Sequence, residues 1–275
     1  VDKMSITDKV VTGASGVGLF SWLTNKLYGR MTDSAYNKYA HVYEPADIVS
    51  IVIPAFNEEE YIEKTLKSIL SQNIILDYPD YFECIVVDNE STDRTAEIAK
   101  QYCQVTSAPR GKLNALTAGI KYASGNIIVT RDADTYYPPN CLNILLRHFH
   151  NPNVVAVTGP HLTQGNLVFR LMSVWGWNII PFAKNKLSGS NSAFRKDAFL
   201  KVGGYDLSID QFDVEKMIME EEIVLRGKLL NIGEVIFDLQ ACCFQLRPSL
   251  GRKVIIEQRL AKGKYYEEIT GGERF

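Results

Sequence analysis

The sequence predicts an α/β fold, an open and mostly parallel sheet flanked by helices. Two observations carry that expectation. The first is a set of apolar, β-branched runs, "DIVSIVIPAFN", "FECIVVDNES", "GNIIVTRDAD" and "NVVAVTGP", each continuous enough to be buried on both faces, as parallel strands are. The second is that segments of helical periodicity separate them at short spacing, the alternation that builds a layered α/β sheet.

From the N-terminus, "VVTGASGVGLF" has the glycines Gly13, Gly16 and Gly18 of a dinucleotide-binding turn. Such a turn needs a buried strand before it, a helix after it and an acidic residue closing a second strand about 20 residues on. Only Lys9-Val10-Val11 could be the strand, and "MTDSAYNKYAHVYE" holds no second one. A nicotinamide site and an NAD-dependent oxidoreductase therefore lack their context. In "GLFSWLTNKLYGR", Leu19, Phe20, Trp22, Leu23 and Leu27 share one side of a helical wheel, with Lys26 and Arg30 flanking it. That amphipathic helix fits packing on the core or on a second subunit of a homo-oligomer, and it equally fits a bilayer interface. Residues 1–46 are read as an N-terminal extension carrying it.

Residues 47–240 carry the alternation. After the first strand, "EEEYIEKTLKSILSQ" places Ile62, Leu66, Ile69 and Leu70 on one face, with glutamates at the helix start, where the dipole favours them. "TDRTAEIAKQY" reads as a helix with a Thr/Asp cap, "KLNALTAGIKYA" as another, and "PPNCLNILLRHF" as a helix with proline in its first turn. "LSGSNSAFRKDAFLKVGGYD" fits strand, turn and helix with a Gly203-Gly204 stop, and "EEEIVLRGKLLNIG" continues as a helix. Residues 241–275 form a strand/helix tail whose basic "GRKVIIEQRLAKGKYY" could attract anionic headgroups.

The whole chain bounds the function. It has 275 residues and a formal net charge of −2, so it can bury a sizeable core but offers no basic field for nucleic acid. Five cysteines, Cys84, Cys103, Cys141, Cys242 and Cys243, lack zinc or disulfide-framework spacing; the expectation is buried free thiols in a reducing, cytoplasmic setting. The longest apolar candidate, "LVFRLMSVWGWNIIPF", carries Arg170 and ends at Pro181, which argues against a membrane span. With no secretory layout at the N-terminus, the expected location is the cytoplasm, with a peripheral place on the cytosolic face of a membrane as the extension.

Ligands of open α/β sheets lie beyond the carboxyl ends of the strands. Here those ends hold Asn57 and Glu58, Asp88 and Asn89, and Asp132 and Asp134. Carboxylates gathered at one rim repel each other unless something cationic binds there. In "TRDADTYY", Asp132 and Asp134 are two apart on an extended stretch and face one side. Mg²⁺ and Mn²⁺ are usually held by one or two carboxylates plus substrate phosphates.

In order and spacing, "VSIVIPAFNEEEYIEKTLKSILSQ", "IVVDNESTDRTAEIA", "RGKLNALTAGIKYASG" and "IIVTRDADTYYPP" resemble glycosyltransferase family 2, with its GT-A fold, over about residues 47–238. The resemblance implies a nucleotide-diphosphate sugar as donor, UDP- or GDP-linked, and a hydroxyl acceptor on a glycan or a lipid-linked group. By the same resemblance Pro54, Ala55, Phe56 and Glu58 line the base and ribose, and Asp88 accepts a hydrogen bond from the base. Gly111 lets the backbone approach the donor and Lys112 contacts it. Asp132 faces the ribose, Ala133 belongs to the same donor-binding stretch, and Asp134 ligates the metal. Gly189, Ser190, Asn191 and Arg195 stand beside the acceptor. Aligned on Leu225, Leu229 and Gly233, Glu221 and Glu222 take the place of the family's acidic pair, with Glu222 the catalytic base; another register selects Glu220. Arg247 is expected after the last strand, holding a phosphate oxygen or lying free on the surface.

Two departures stand out. Asn89 and Glu90 replace an aspartate and a glycine, which alters what is offered to a base. The Gln-x-x-Arg-Trp segment of processive synthases is missing from "EQRLAKGKYY", which favours single-hexose transfer. The expected function is metal-dependent, inverting transfer with Mn²⁺ or Mg²⁺. The rival is a catalytically silent nucleotide-sugar-binding module, and a sugar nucleotidyltransferase would need a glycine-rich loop with arginine where "IPAFNEEE" stands.

Overall fold

The computed structural model describes residues 44–164, 187–207 and 214–248. The glycine-rich stretch, the amphipathic segment at residues 18–30, the apolar stretch at 167–182 and the tail beyond 248 lie outside them.

The elements, in order, are β1 (Val49–Ala55), α1 (Ile62–Leu70), α2 (Asn73–Asp77), β2 (Phe82–Asp88), α3 (Thr95–Ala99), β3 (Gln104–Ser107), α4 (Lys112–Tyr122) and β4 (Ile127–Arg131). Then follow β5 (Thr135–Tyr136), α5 (Cys141–Leu146), β6 (Val154–Thr158), β7 (His161–Gln164), β8 (Asn191–Arg195), α6 (Lys196–Lys201), α7 (Val214–Leu230), β9 (Glu234–Phe237) and β10 (Cys243–Pro248). A seven-stranded sheet takes the order β3-β2-β1-β4-β8-β6-β9, and a three-stranded sheet the order β5-β10-β7.

β1 shows why the apolar run becomes a central strand. All its residues are buried, because period-two alternation sends Ile51 and Ile53 to one layer and Val52 to the other. On one side α1 and α5 add Ile62, Leu66, Leu142 and Leu145. On the other, α4 and α7 add Leu113, Leu116, Ile120, Leu225 and Leu229. Burying a side chain of this size stabilises by about 1.5–3 kcal/mol, so the two layers fix the strand ends that carry the site.

The sheet is parallel from β3 to β4 and again between β6 and β9. β8 alone runs against its neighbours, paired antiparallel with β4 and β6. Its beginning, not its end, therefore reaches the rim where β4 finishes.

Several local expectations shift. α3 has five residues, with Asp93 Oδ1 accepting the Thr95 N–H at 2.9 Å. α5 starts at Cys141, so Pro138 and Pro139 precede it. Arg247 lies on β10, not beyond the last strand. Five free thiols were expected, and this is corrected: Cys84 and Cys103 form a disulfide, with Cα atoms 5.3 Å apart. Cys84 lies on β2, and α3 returns the chain to lay Cys103 beside it, just before β3. Cys141, Cys242 and Cys243 are buried and lie outside any disulfide. Among the described residues, no helix is long and apolar enough to cross a membrane.

Candidate active site

The rim is assembled by register. Ala55 pairs with Asp88 and Asp88 with Ser107, while Arg131 pairs with Asn191. Parallel pairing thus puts the loops after β1, β2 and β4 on one edge, with the turn before β8 beside them.

On the β1–β2 side, Pro54 and Ala55 are buried, and the Ala55 carbonyl accepts the Asn89 N–H at 2.9 Å. Phe56 lies under the Arg110 guanidinium, 3.9 Å from its ring centre. Asn57, at φ 52°, accepts the Thr92 N–H on its side-chain oxygen at 2.8 Å and stitches the two loops together. Asp88 Oδ1 is buried without a hydrogen-bond partner. Leaving such an oxygen unmade costs about 1–3 kcal/mol, so a ligand N–H has a place to go.

Asn89 faces inward. Its amide nitrogen donates to the Pro109 carbonyl at 2.8 Å, and its oxygen accepts the Gly111 N–H at 2.9 Å. The sequence departure at this position thus acts on the loop before α4, not directly on a base. Gly111 takes φ 126°, which favours glycine, and starts α4 with Lys112 pointing at the acidic rim.

Lys112 Nζ meets Asp132 Oδ1 at 2.5 Å. Burial works against its charge, but Asp132, then Glu222 and Asp134, raise its pKa. The Asp132 N–H donates to Tyr137 Oη at 2.8 Å, and the Tyr137 hydroxyl donates to the Ser190 carbonyl at 2.9 Å. Ala133 is buried, its carbonyl taken by Thr65 Oγ1 at 2.8 Å. Asp134 Oδ2 lies 3.4 Å from Arg247 Nε, and its carbonyl accepts the Leu246 N–H at 2.7 Å. Arg247 Nη2 also contacts Glu58 Oε1 and Oε2 at 2.6 and 2.7 Å. Burial first and the charge of Asp134 second push the Glu58 carboxyl from 4.5 up to about 7, against the pull of Arg247.

The helix-borne pair separates. Glu222, on α7, is 7% exposed, and its Oε1 accepts the Gly189 N–H at 2.6 Å. A Cβ built on Gly189 would lie 2.6 Å from that oxygen and 3.6 Å from Lys112 Nζ, so Glu222, Lys112 and Gly189 meet at one point. Glu221 is fully buried and turns to the Asp206 N–H at 2.6 Å. The Glu220 side chain lies outside the described set.

Residues 50–203 match the sequence profile of glycosyl transferase family 2. The chain belongs to glycosyl transferase family 2. Its curated relatives include the poly-β-1,6-N-acetyl-D-glucosamine synthases of Staphylococcus epidermidis, 28% identical, and of Staphylococcus aureus strain COL, 26% identical; each alignment covers 82% of this chain and 58% of the relative. The chain thus spans little more than half the length of these relatives. Among solved structures, it resembles a Pyrobaculum calidifontis mannosyltransferase in complex with GDP-Man and Mn²⁺, with TM-score 0.58 and 19% identity over 88% of this chain and 72% of that one. It also resembles residues 1–349 of S. aureus TarS in complex with UDP-GlcNAc, with TM-score 0.56 and 15% identity over 75% and 60% of the two chains. These likenesses establish the GT-A glycosyltransferase fold.

In this family 2 chain, the expected acceptor group does not gather as a set. Gly189 is at the rim. Ser190 and Asn191 are buried, Ser190 Oγ against Ser188 Oγ at 2.9 Å and Asn191 against Arg131 and the Ala241 carbonyl. Arg195 is placed away from the site, contrary to expectation: it ends β8 at the opposite edge, donating to the Val154 and Phe149 carbonyls at 2.9 Å each. The reversal of β8 is the cause, since four residues of strand span about 13 Å.

Sequence reading missed three side chains that shape the site: Arg110 over Phe56, Tyr137, and the fully buried Arg131 stacked 4.3 Å from the Tyr137 ring centre. Arg131 and Tyr137 read as flanks of the Asp-x-Asp motif, and no spacing rule marks them.

Among the described residues, no cluster of three or more His, Cys, Asp or Glu forms a cage for a metal. The rim fits an ion that takes few protein ligands: Asp134 and Asp132 supply hard oxygens, and Lys112 and Arg247 already balance their charge. Mg²⁺ and Mn²⁺ bind in this way, completed by phosphate and water.

Proposed function

We propose that residues 47–240 form a catalytic unit that transfers a hexose, with inversion, from a nucleoside-diphosphate sugar to an acceptor hydroxyl on a glycan or lipid-linked group. One observation carries this reading: Asp132, Asp134 and Glu222 converge around Lys112 at the carboxyl edge of the sheet. UDP-N-acetylglucosamine is the favoured donor, supported by the names of the staphylococcal relatives and by the TarS complex; GDP-mannose is second, supported by the Pyrobaculum enzyme.

The nucleoside would lie along Pro54, Ala55 and Phe56, with its base donating an N–H to Asp88 Oδ1. The backbone at Gly111 and the Lys112 ammonium would meet the diphosphate, and Arg247 would approach it from β10. A Mn²⁺ or Mg²⁺ ion on Asp134, beside Asp132, would neutralise charge on the departing diphosphate, a contribution of several kcal/mol. Glu222 would take the proton of the acceptor hydroxyl as the acceptor oxygen bonds to the anomeric carbon and the sugar–diphosphate bond breaks, with that electron pair leaving on the diphosphate. A positioned base of this kind contributes about 10²–10⁴-fold in rate. Lys112, which feels the Glu222 charge, stands beside the carboxylate that would accept the proton.

Whether one sugar or many are added is read from the product. The preference for single addition gains no support from relatives named as polymer synthases, and "EQRLAKGKYY" lies outside the described residues. The test is thermal unfolding of the protein with UDP, GDP, their sugars or NAD, each with and without Mn²⁺. Ligand at about 100 times its dissociation constant adds roughly 2.7 kcal/mol of stability. Metal-dependent stabilisation by UDP-N-acetylglucosamine, lost in Asp134→Ala, is the expected result. Stabilisation by NAD alone would sink the proposal. Stabilisation by the donor with no release of UDP, across a panel of glycan acceptors, would leave a silent binding module.

A further inference from the structure

Glu58 follows β1 directly, where sequence similarity assigns it to the base and ribose, yet its carboxylate is spent elsewhere. Both oxygens hold one nitrogen of Arg247, at 2.6 and 2.7 Å. The arrangement is fixed from every side. The Glu58 N–H donates to Thr95 Oγ1 at 2.7 Å, and the Glu58 carbonyl accepts the Tyr61 and Ile62 N–H groups at 3.0 and 2.8 Å, opening α1. Arg247 comes from a strand whose Leu246 N–H is bonded to the Asp134 carbonyl. Its guanidinium sits 5.5 Å from the Tyr61 ring centre, with Nε 3.4 Å from Asp134 Oδ2.

We infer that Glu58 is a positioning residue: it holds Arg247 over Asp134 as the counter-charge for a diphosphate and makes no contact with the nucleoside. A guanidinium has five N–H donors in a rigid fork. Glu58 occupies Nη2 and Asp134 Oδ2 lies 3.4 Å from Nε, and neither contact uses Nη1. Arg247 partly balances Asp134 before a ligand arrives, and its remaining donors turn to phosphate oxygens once one does. Residues 189 positions apart in sequence thus act as one group. The inference rests on the reading above that a nucleoside diphosphate binds at this rim.

The two roles for Glu58 differ in which part of the ligand feels its loss. Uridine can be titrated by ligand-observed NMR and UDP with Mn²⁺ by calorimetry, against the wild type, Glu58→Gln, Arg247→Gln and the double variant. Each single variant should weaken UDP by about tenfold, the scale of one charge-assisted hydrogen bond, and leave uridine within twofold of wild type. The double variant should lose no more than the worse single one, because the pair acts as a unit. Glu58→Asp, which keeps the charge but shortens the reach, should fall between wild type and Glu58→Gln and covers any misfolding of the glutamine variant. Equal weakening of uridine and UDP by Glu58→Gln overturns the inference, as does a double variant whose loss is the product of the two single losses. A wild-type chain that binds UDP and GDP no better than NAD overturns the reading of the site itself, a result these variants cannot imitate.

Discussion

The protein carries two carboxylate pairs at one rim, and they behave in opposite ways. Asp132 and Asp134 lie in the turn between β4 and β5, not on the extended stretch the sequence suggests, and both enter the site, toward Lys112 and Arg247. Glu221 and Glu222 are adjacent on α7, where neighbours diverge by about 100°. One binds the Asp206 N–H and the other the Gly189 N–H. The aspartate pair therefore serves one site, while the helix pair divides its work: Glu222 faces Gly189 and Lys112, and Glu221 anchors the chain before α7.

The sharpest way to break that contrast is Glu222→Gln. On the proposed mechanism, kcat for sugar transfer should fall by about 10²–10⁴-fold with the nucleotide affinity unchanged. A rate within threefold of wild type would remove Glu222 from the chemistry. Gly189→Ala comes next. Its Cβ would push on the far end of the Glu222 side chain, which can move cheaply, so kcat should drop by about tenfold while Tm holds. An unchanged rate would mean that the Gly189 contact does not place the base.

Glu221→Gln should act on folding instead. The buried Glu221 carboxylate accepts the Asp206 N–H, and weakening that bond should cost about 1–3 kcal/mol of stability, read as a lower urea midpoint with near-normal kcat. A loss of kcat at full stability would reverse the roles of the two glutamates. The smallest effect belongs to the aspartate pair. Glu58 titrates at about 7 in the folded chain against 4.5 unfolded, so the folded state binds more protons between those values. Its contribution to ligand-free stability is full below pH 4.5 and is lost as pH rises toward 7. Asp134→Asn removes the negative charge that raises this pKa most and should flatten the slope in urea unfolding followed against pH. A slope that Asp134→Asn leaves intact would separate Glu58 from the rim.

Much of this was legible in the sequence, for physical reasons. Runs such as "DIVSIVIPA" are buried on both faces, and a strand that must be apolar throughout announces itself. Parallel strands end at one edge, so Asp88, Asp132 and Asp134 could be grouped before any coordinates. What escaped depended on direction or on partners remote in sequence. Antiparallel β8 has the same period-two pattern as a parallel strand, so nothing in "NSAFR" tells which end meets the rim, and the resemblance that sets Arg195 beside the acceptor does not hold for its position at the far end of β8. Asn89 was read for what it offers a base, but its amide is taken up by Pro109 and Gly111. The pairing of Cys84 with Cys103 depends on how α3 returns the chain, which spacing alone does not encode.

The reversed strand has a consequence for how such a chain can be remodelled. β7 ends at Gln164, paired with Pro248 beside Arg247. The chain is next described at Leu187, whose N–H reaches the Glu222 carbonyl at 3.4 Å. Departure and return are both moored at the site's edge, and the strands that carry Asp88, Asp132 and Asp134 lie outside that interval. The register of β1, β2, β3 and β4 is set by pairing among those four strands, so changes confined to the β8 side leave the edge that carries Asp88, Asp132 and Asp134 in place.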